Sequence, residues 1–122
     1  MQSVTGGGHS GAGIFISAED MARFGLLFLS DGNWEGQRLL SSGWIAEATT
    51  ASMPNPNYGY MWWLNRAGDR QWQGLPENIY YAAGFGGNFI VICPDQDLVM
   101  VLRWLEPTEI GNFVQRVFAA LD

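Results

Sequence analysis

The stretch that decides the fold runs Ile79-Tyr-Tyr-Ala-Ala-Gly84-Phe85-Gly-Gly-Asn88-Phe-Ile-Val-Ile-Cys93-Pro94-Asp-Gln-Asp97-Leu98-Val-Met-Val-Leu-Arg103-Trp-Leu105. It holds three β-rich runs, Ile79–Ala83, Asn88–Cys93 and Leu98–Leu105. Pro94-Asp95-Gln96-Asp97 between the last two has turn chemistry, because proline presets φ and aspartate bonds its own backbone. The pair therefore reads as an antiparallel hairpin. Apolar residues are nearly continuous over Phe89–Cys93 and Leu98–Leu102, which predicts strands covered on both faces.

Working outward, Ile110, Phe113, Val114, Val117, Phe118 and Leu121 fall at helical spacing and predict an amphipathic helix over 109–121, lying on the sheet. Upstream, the aromatic run Tyr58–Leu64 reads as a further strand. Residues 65–78 carry Gly68, Asp69, Gly74 and Pro76 and read as a long excursion. Ser17-Ala18-Glu19-Asp20 has the form of a helix start, a serine cap with acidic residues in the first turn. Met21, Phe24, Leu27 and Phe28 form its apolar face, Gly25 marks close packing, and Asp31-Gly32 ends it. Ser41-Ser42 opens a shorter helix with Trp44, Ile45 and Ala48 inward, followed by a loop at Met53–Asn57. Residues 1–13 are a glycine-rich loop. The expected class is α+β, an antiparallel sheet with packed helices. One domain over 1–122 is expected: loop 1–13, helical 14–57, strands 58–105 and a C-terminal helix 109–121.

Composition narrows the function classes. The 122 residues are 48% hydrophobic and 14% aromatic but only 15% charged, and the net charge is −6. So much apolar surface in a small chain points to a contact partner. The six basic residues are all arginines, scattered along the sequence, and there is no lysine. That balance argues against a nucleic-acid surface and against an anionic membrane. No run reaches the ~18 apolar residues a membrane span needs, and no signal peptide is visible, so localisation is open. One Cys and one His cannot build a zinc cluster, and no cofactor motif is present. Cys93 reads as a core residue.

Gly8-His9-Ser10-Gly11 resembles a nucleophile elbow, but Ala12 stands where the second glycine belongs and no helix start follows. The carboxylate pairs Glu19/Asp20 and Asp95/Asp97 fit a helix first turn and a tight turn. Six tryptophans and four tyrosines leave open an aromatic binding face, and with it a non-catalytic binding or interaction module. Ala82-Ala83-Gly84-Phe85-Gly86-Gly87-Asn88 joins two strands. It is either a plain glycine-rich connection or a place of close backbone approach by a ligand, where free N–H groups can serve as an oxyanion hole.

Taken together, four separated blocks resemble class C β-lactamases and their esterase and amidase relatives. They are Ser10 to Gly25, Asp31-Gly32-Asn33-Trp34 with Ser42-Gly43-Trp44, Tyr58 to Trp63, and Ala82–Asn88 with Pro94–Val101. The match runs from about Gly6 to Trp104, in order. The resemblance implies a serine hydrolase of the penicillin-binding-protein type, part of a β-lactamase/transpeptidase-like fold. It also implies three catalytic motifs: Ser-x-x-Lys, Tyr-x-Asn and Lys-Thr-Gly. With no lysine, the first cannot exist here, and no tyrosine is followed two places on by asparagine. Ala82-Ala83-Gly84 stands where Lys-Thr-Gly would, with the Phe85 N–H as the oxyanion candidate. The usual anchor for a β-lactam carboxylate is then missing, which favours an esterase, amidase or peptidase-like relative over a competent β-lactamase. The expectation is the C-terminal part of such a hydrolase, silent alone and completed by the missing N-terminal part or by self-association.

Overall fold

Alternation along the three central strands sends side chains to both sides of one sheet, and each side is covered. The computed structural model describes residues 14–66 and 68–121. Strands β4 (Tyr80–Gly84), β5 (Asn88–Cys93) and β6 (Leu98–Leu102) follow the two-residue β1 (Asn33–Trp34), β2 (Gln37–Arg38) and β3 (Trp63–Leu64). The main sheet is antiparallel throughout, in the order β3-β4-β5-β6. Its register pairs Ala82 with Ile90, Gly84 with Asn88, and Val91 with Met100. The helices are α1 (Ala18–Leu29), α2 (Ser42–Ala48) and α3 (Ile110–Leu121). The class is α+β, as the β-rich runs and the amphipathic helices predict.

Odd and even positions of β5 separate into two cores. Ile90 and Ile92 join Met21 and Phe28 of α1, Ile45 and Ala48 of α2, and Trp62, Leu64 and Tyr80. Phe89, Val91 and Cys93 join Trp72, Leu75, Tyr81, Met100, and Ile110 and Val114 of α3. Period-two alternation under a two-sided cover explains the continuous apolar run. The α1 helix begins as read, with the Ser17 hydroxyl accepting from Asp20 N at 3.0 Å. Gly25 lies against β5 and β6. A Cβ there would sit 2.6 Å from Val99 Cγ1 and 2.9 Å from Ile90 Cγ2, so the helix approaches the sheet as only glycine permits.

Several expectations need correction. Tyr58–Leu64 is no seven-residue strand. Met61 adopts φ 65°, the backbone folds on itself in a Tyr58↔Trp63 bridge, and only Trp63–Leu64 pairs with β4. The last strand ends at Leu102 rather than Leu105, because Trp104 takes φ 59° and turns the chain. Trp44 and Phe24, expected inward, are exposed. Trp44 leans on Tyr60, and Phe24 covers Phe28 and Trp62 from outside. Within the stretch expected to be helical, β1 and β2 form a hairpin whose turn residues Glu35 and Gly36 both have positive φ, the geometry that two-residue hairpin loops favour. The Gly-rich segment 1–13 lies outside the described residues.

The 65–78 excursion is held from inside. Asn65 is fully buried. Its Nδ2 donates to the carbonyls of Trp72, Leu75 and Pro76 at 3.1, 3.4 and 3.2 Å, and its Oδ1 accepts from Trp72 N at 3.1 Å. That latch sets Trp72 and Leu75 into the core under Tyr81.

Candidate functional site

The residues singled out from sequence, Ala82, Ala83, Gly84 and Phe85, occupy the end of β4 and the turn that follows. Strand β3 pairs with Tyr80 and Tyr81 only, whereas β5 pairs with all of β4. Past Tyr81, β4 therefore has a strand partner on one side alone among the described residues. No described residue pairs with the other edge of Ala82–Gly84, and the strand leads straight into Phe85, which is 97% exposed. Burial falls steadily along the strand: Tyr80 and Tyr81 are buried, Ala82 is intermediate, and Ala83 and Gly84 are exposed.

The turn itself is tightly supported. Gly87 has φ 74°, and a Cβ on it would collide with the Leu105 carbonyl, so only glycine fits. Its own carbonyl accepts from Leu105 N at 3.3 Å. The Trp104 ring lies over Gly86, where a Cβ would come 2.4 Å from Cζ3. The Asn88 Nδ2 donates to the Phe85 carbonyl at 2.7 Å, and its Oδ1 accepts from Arg103 Nε at 3.2 Å. Arg103 Nη1 donates in turn to the Ile16 carbonyl at 3.1 Å. Sequence reading passed over Asn88 and Arg103. The available signals were Arg103 as the one charge between Asp97 and Glu106, and an Asn closing a Gly-Gly turn.

Other candidate chemistry is absorbed by structure. Ser17 and Ser41 cap helices, Ser42 donates to Asp31 Oδ2, and Ser52 donates to the Asn55 carbonyl. Among the described residues, no serine hydroxyl is hydrogen-bonded to a nitrogen base. His9 and Ser10 lie outside them. Glu19/Asp20 sits in the first turn of α1, where the Arg23 guanidinium holds the Asp20 carboxyl below its usual range. Asp97 closes the β5–β6 turn with φ 48°. Burial pushes the Tyr80 and Tyr81 phenols and the Cys93 thiol up to about 12, so none is a ready proton carrier or nucleophile near neutrality. The tryptophans do not make one wall. Trp62 and Trp72 are buried in opposite cores, while Trp44, Trp63 and Trp104 are exposed. Among the described residues, no three His, Cys, Asp or Glu side chains gather as a metal site, and no helix is long and apolar enough to cross a membrane.

The four-stranded antiparallel sheet thus carries α1 on one face and α3 on the other, and β4 ends in an exposed turn. The Beta-lactamase family model matches residues 2–107, and the chain belongs to that family. Among its relatives is the 6-aminohexanoate-dimer hydrolase of Paenarthrobacter ureafaciens, 31% identical over 118 residues, a match spanning 84% of this chain and 28% of that protein. A solved structure, "Putative 6-aminohexanoate-dimer hydrolase from Bacillus anthracis", shares the fold. Its TM-score is 0.59 at 22% identity, covering 85% of this chain and 28% of that one. The chain thus spans little more than a quarter of the length of these relatives.

Proposed function

We propose that this chain is the substrate-side, C-terminal part of a serine hydrolase that cleaves an acyl ester or amide bond. The Phe85 N–H, at the end of β4, stabilises the oxyanion. The observation that carries this reading is the one-sided pairing of Ala82–Gly84 among the described residues, an edge along which a substrate backbone or acyl group can lie. In acyl transfer a serine oxygen attacks the carbonyl, negative charge moves onto the carbonyl oxygen, and a fixed backbone N–H lowers the energy of that charge. Ala82 and Ala83 offer no ammonium or hydroxyl in place of Lys-Thr-Gly. That favours a linear amide or ester over a β-lactam held by its carboxylate. The names of the two relatives, hydrolases of an amide dimer, support the same preference.

The nucleophile and its amine come from elsewhere, because this sequence has no lysine and an activated serine needs a base in hydrogen-bond reach. The supplier is the N-terminal part of the same fold, since a second copy of this chain would bring no lysine either. The test is an assay of linear amides and nitrophenyl esters by the purified chain, alone and mixed with a polypeptide carrying Ser-x-x-Lys and Tyr-x-Asn. Silence alone and turnover in the mixture are expected, with Phe85→Pro lowering kcat by about 10²–10³-fold. Serine-dependent turnover by the chain alone, abolished by Ser10→Ala, would defeat this reading.

A further inference from the structure

We propose that Asn88 and Arg103 are positioning residues, a relay that fixes the β4–β5 turn and with it the Phe85 N–H relative to the segment at Ile16. The proposal rests on the reading of Phe85 as the oxyanion donor. Three consecutive hydrogen bonds make the relay: Asn88 Nδ2 to the Phe85 carbonyl, Arg103 Nε to Asn88 Oδ1, and Arg103 Nη1 to the Ile16 carbonyl. Each end of the Asn88 carboxamide has one task. Its amide grips the residue whose N–H faces the substrate, and its oxygen is held by a cation. A backbone donor is effective only when it does not reorganise as charge develops, so restraining the turn serves catalysis directly.

The choice of arginine follows from the geometry. Its planar fork presents Nε–H and Nη–H in fixed directions to two acceptors, whereas a lysine offers three donors on one rotatable ammonium with no fixed fork. Both of its acceptors are neutral, and among the described residues none of the ion pairs involves Arg103. Its charge is therefore left uncompensated by a carboxylate, two hydrogen bonds away from Phe85. Bonds from an ionised donor are also the stronger kind. The relay spans the chain, since Ile16 and Arg103 lie 87 residues apart in sequence. It ties the segment just before α1 to the loop after β6, and both to the turn.

Two conservative variants separate the links. Asn88→Asp keeps the acceptor for Arg103 but loses the donor to Phe85. Arg103→Lys keeps the charge but loses the fork. The readout is NMR of the carbon- and nitrogen-labelled chain, following backbone shifts and order parameters of the turn and the Arg103 Nε–H resonance. In Asn88→Asp, the Phe85 carbonyl-carbon and Gly86 amide shifts should move and the order parameters of Phe85–Gly86 should fall below about 0.6, while Ile16 is unmoved and the Arg103 Nε–H resonance persists. In Arg103→Lys, both Phe85–Gly86 and the residues around Ile16 should change. Unaltered shifts and order parameters at Phe85 and Gly86 in both variants, with the rest of the spectrum intact, overturn the relay. In the assembled hydrolase both substitutions should lower kcat and leave KM unchanged, and a raised KM at constant kcat overturns a positioning role. If Phe85→Pro leaves turnover intact while the shift and order-parameter changes of the two relay variants appear, the donor reading falls and the relay stands as a brace of the turn.

Discussion

Asn65 shows how much one polar residue can organise. It sits with no solvent exposure between a strand and an excursion, and it serves one N–H and three carbonyls of residues 72–76. Replacing it by alanine strands buried backbone groups, which costs the desolvation of each rather than the modest value of a bond. We expect Asn65→Ala to lower stability by about 2–3 kcal/mol, read as a shift of the urea midpoint, and an unchanged midpoint would contradict the latch. The tyrosines give a pH prediction. Burial raises Tyr80 and Tyr81 from an ordinary 10 to about 12. Below pH 10 these phenols are neutral in both folded and unfolded chains and do not affect the balance. As pH rises from 10 through about 12, the unfolded chain ionises first, so stability is lost across that window. Tyrosinate absorbance and circular dichroism should move together there. Ionisation of all four tyrosines near their ordinary value, with the fold retained, would refute it.

At the scale of elements, helix, strand and turn follow local chemistry where the local pattern is strong. The Ser17 cap, the Gly25 contact and the Pro94–Asp97 turn are each visible in a few residues. Gly25 also gives a sharp test. The methyl of Gly25→Ala would meet Val99 and Ile90 at distances no real Cβ tolerates, so α1 must lift from β5 and β6. The expected cost is about 1–3 kcal/mol, measured by denaturant unfolding, and a neutral effect would mean that the helix can slide. Aromatic runs were less legible. Tyr58–Leu64 has strand composition throughout, yet the positive φ of Met61 folds it into a turn that seats Trp62 against Phe28 and Tyr80. Composition cannot register that choice, because the gain comes from rings contributed by two distant elements. The β1–β2 hairpin was missed for the opposite reason. Its two-residue strands are too short to show alternation, and the Glu35-Gly36 turn lacks the usual Asn or Asp before glycine.

For the molecule as a whole, the outer strand β6 and the edge of β4 that no described residue pairs with set the prediction. Unpaired strand edges with apolar neighbours favour pairing with another chain. The exposed Phe85 and Trp104 add apolar surface at the β4–β5 turn, and Ile14 and Phe15 are exposed as well. Light scattering on the purified chain should therefore find a dimer or larger species, and a monodisperse monomer at high concentration would count against self-association. The candidate site divides along the same line. Ala82, Ala83, Gly84 and Phe85 were readable because they form one continuous motif between two strands. Asn88 and Arg103 were not, since their relation to Phe85 crosses strands and depends on register.

The amino-acid sequence by itself determined the antiparallel sheet, the two amphipathic helices, the family, and the lack of any lysine to activate a serine. These are matters of local pattern and of which atoms the chain possesses. Only the tertiary structure decided which side of each aromatic faces inward, where the β4 edge opens, and how Asn88 and Arg103 grip the turn. Those features depend on pairing between residues far apart in the chain, and periodicity within a segment carries no record of its distant partners.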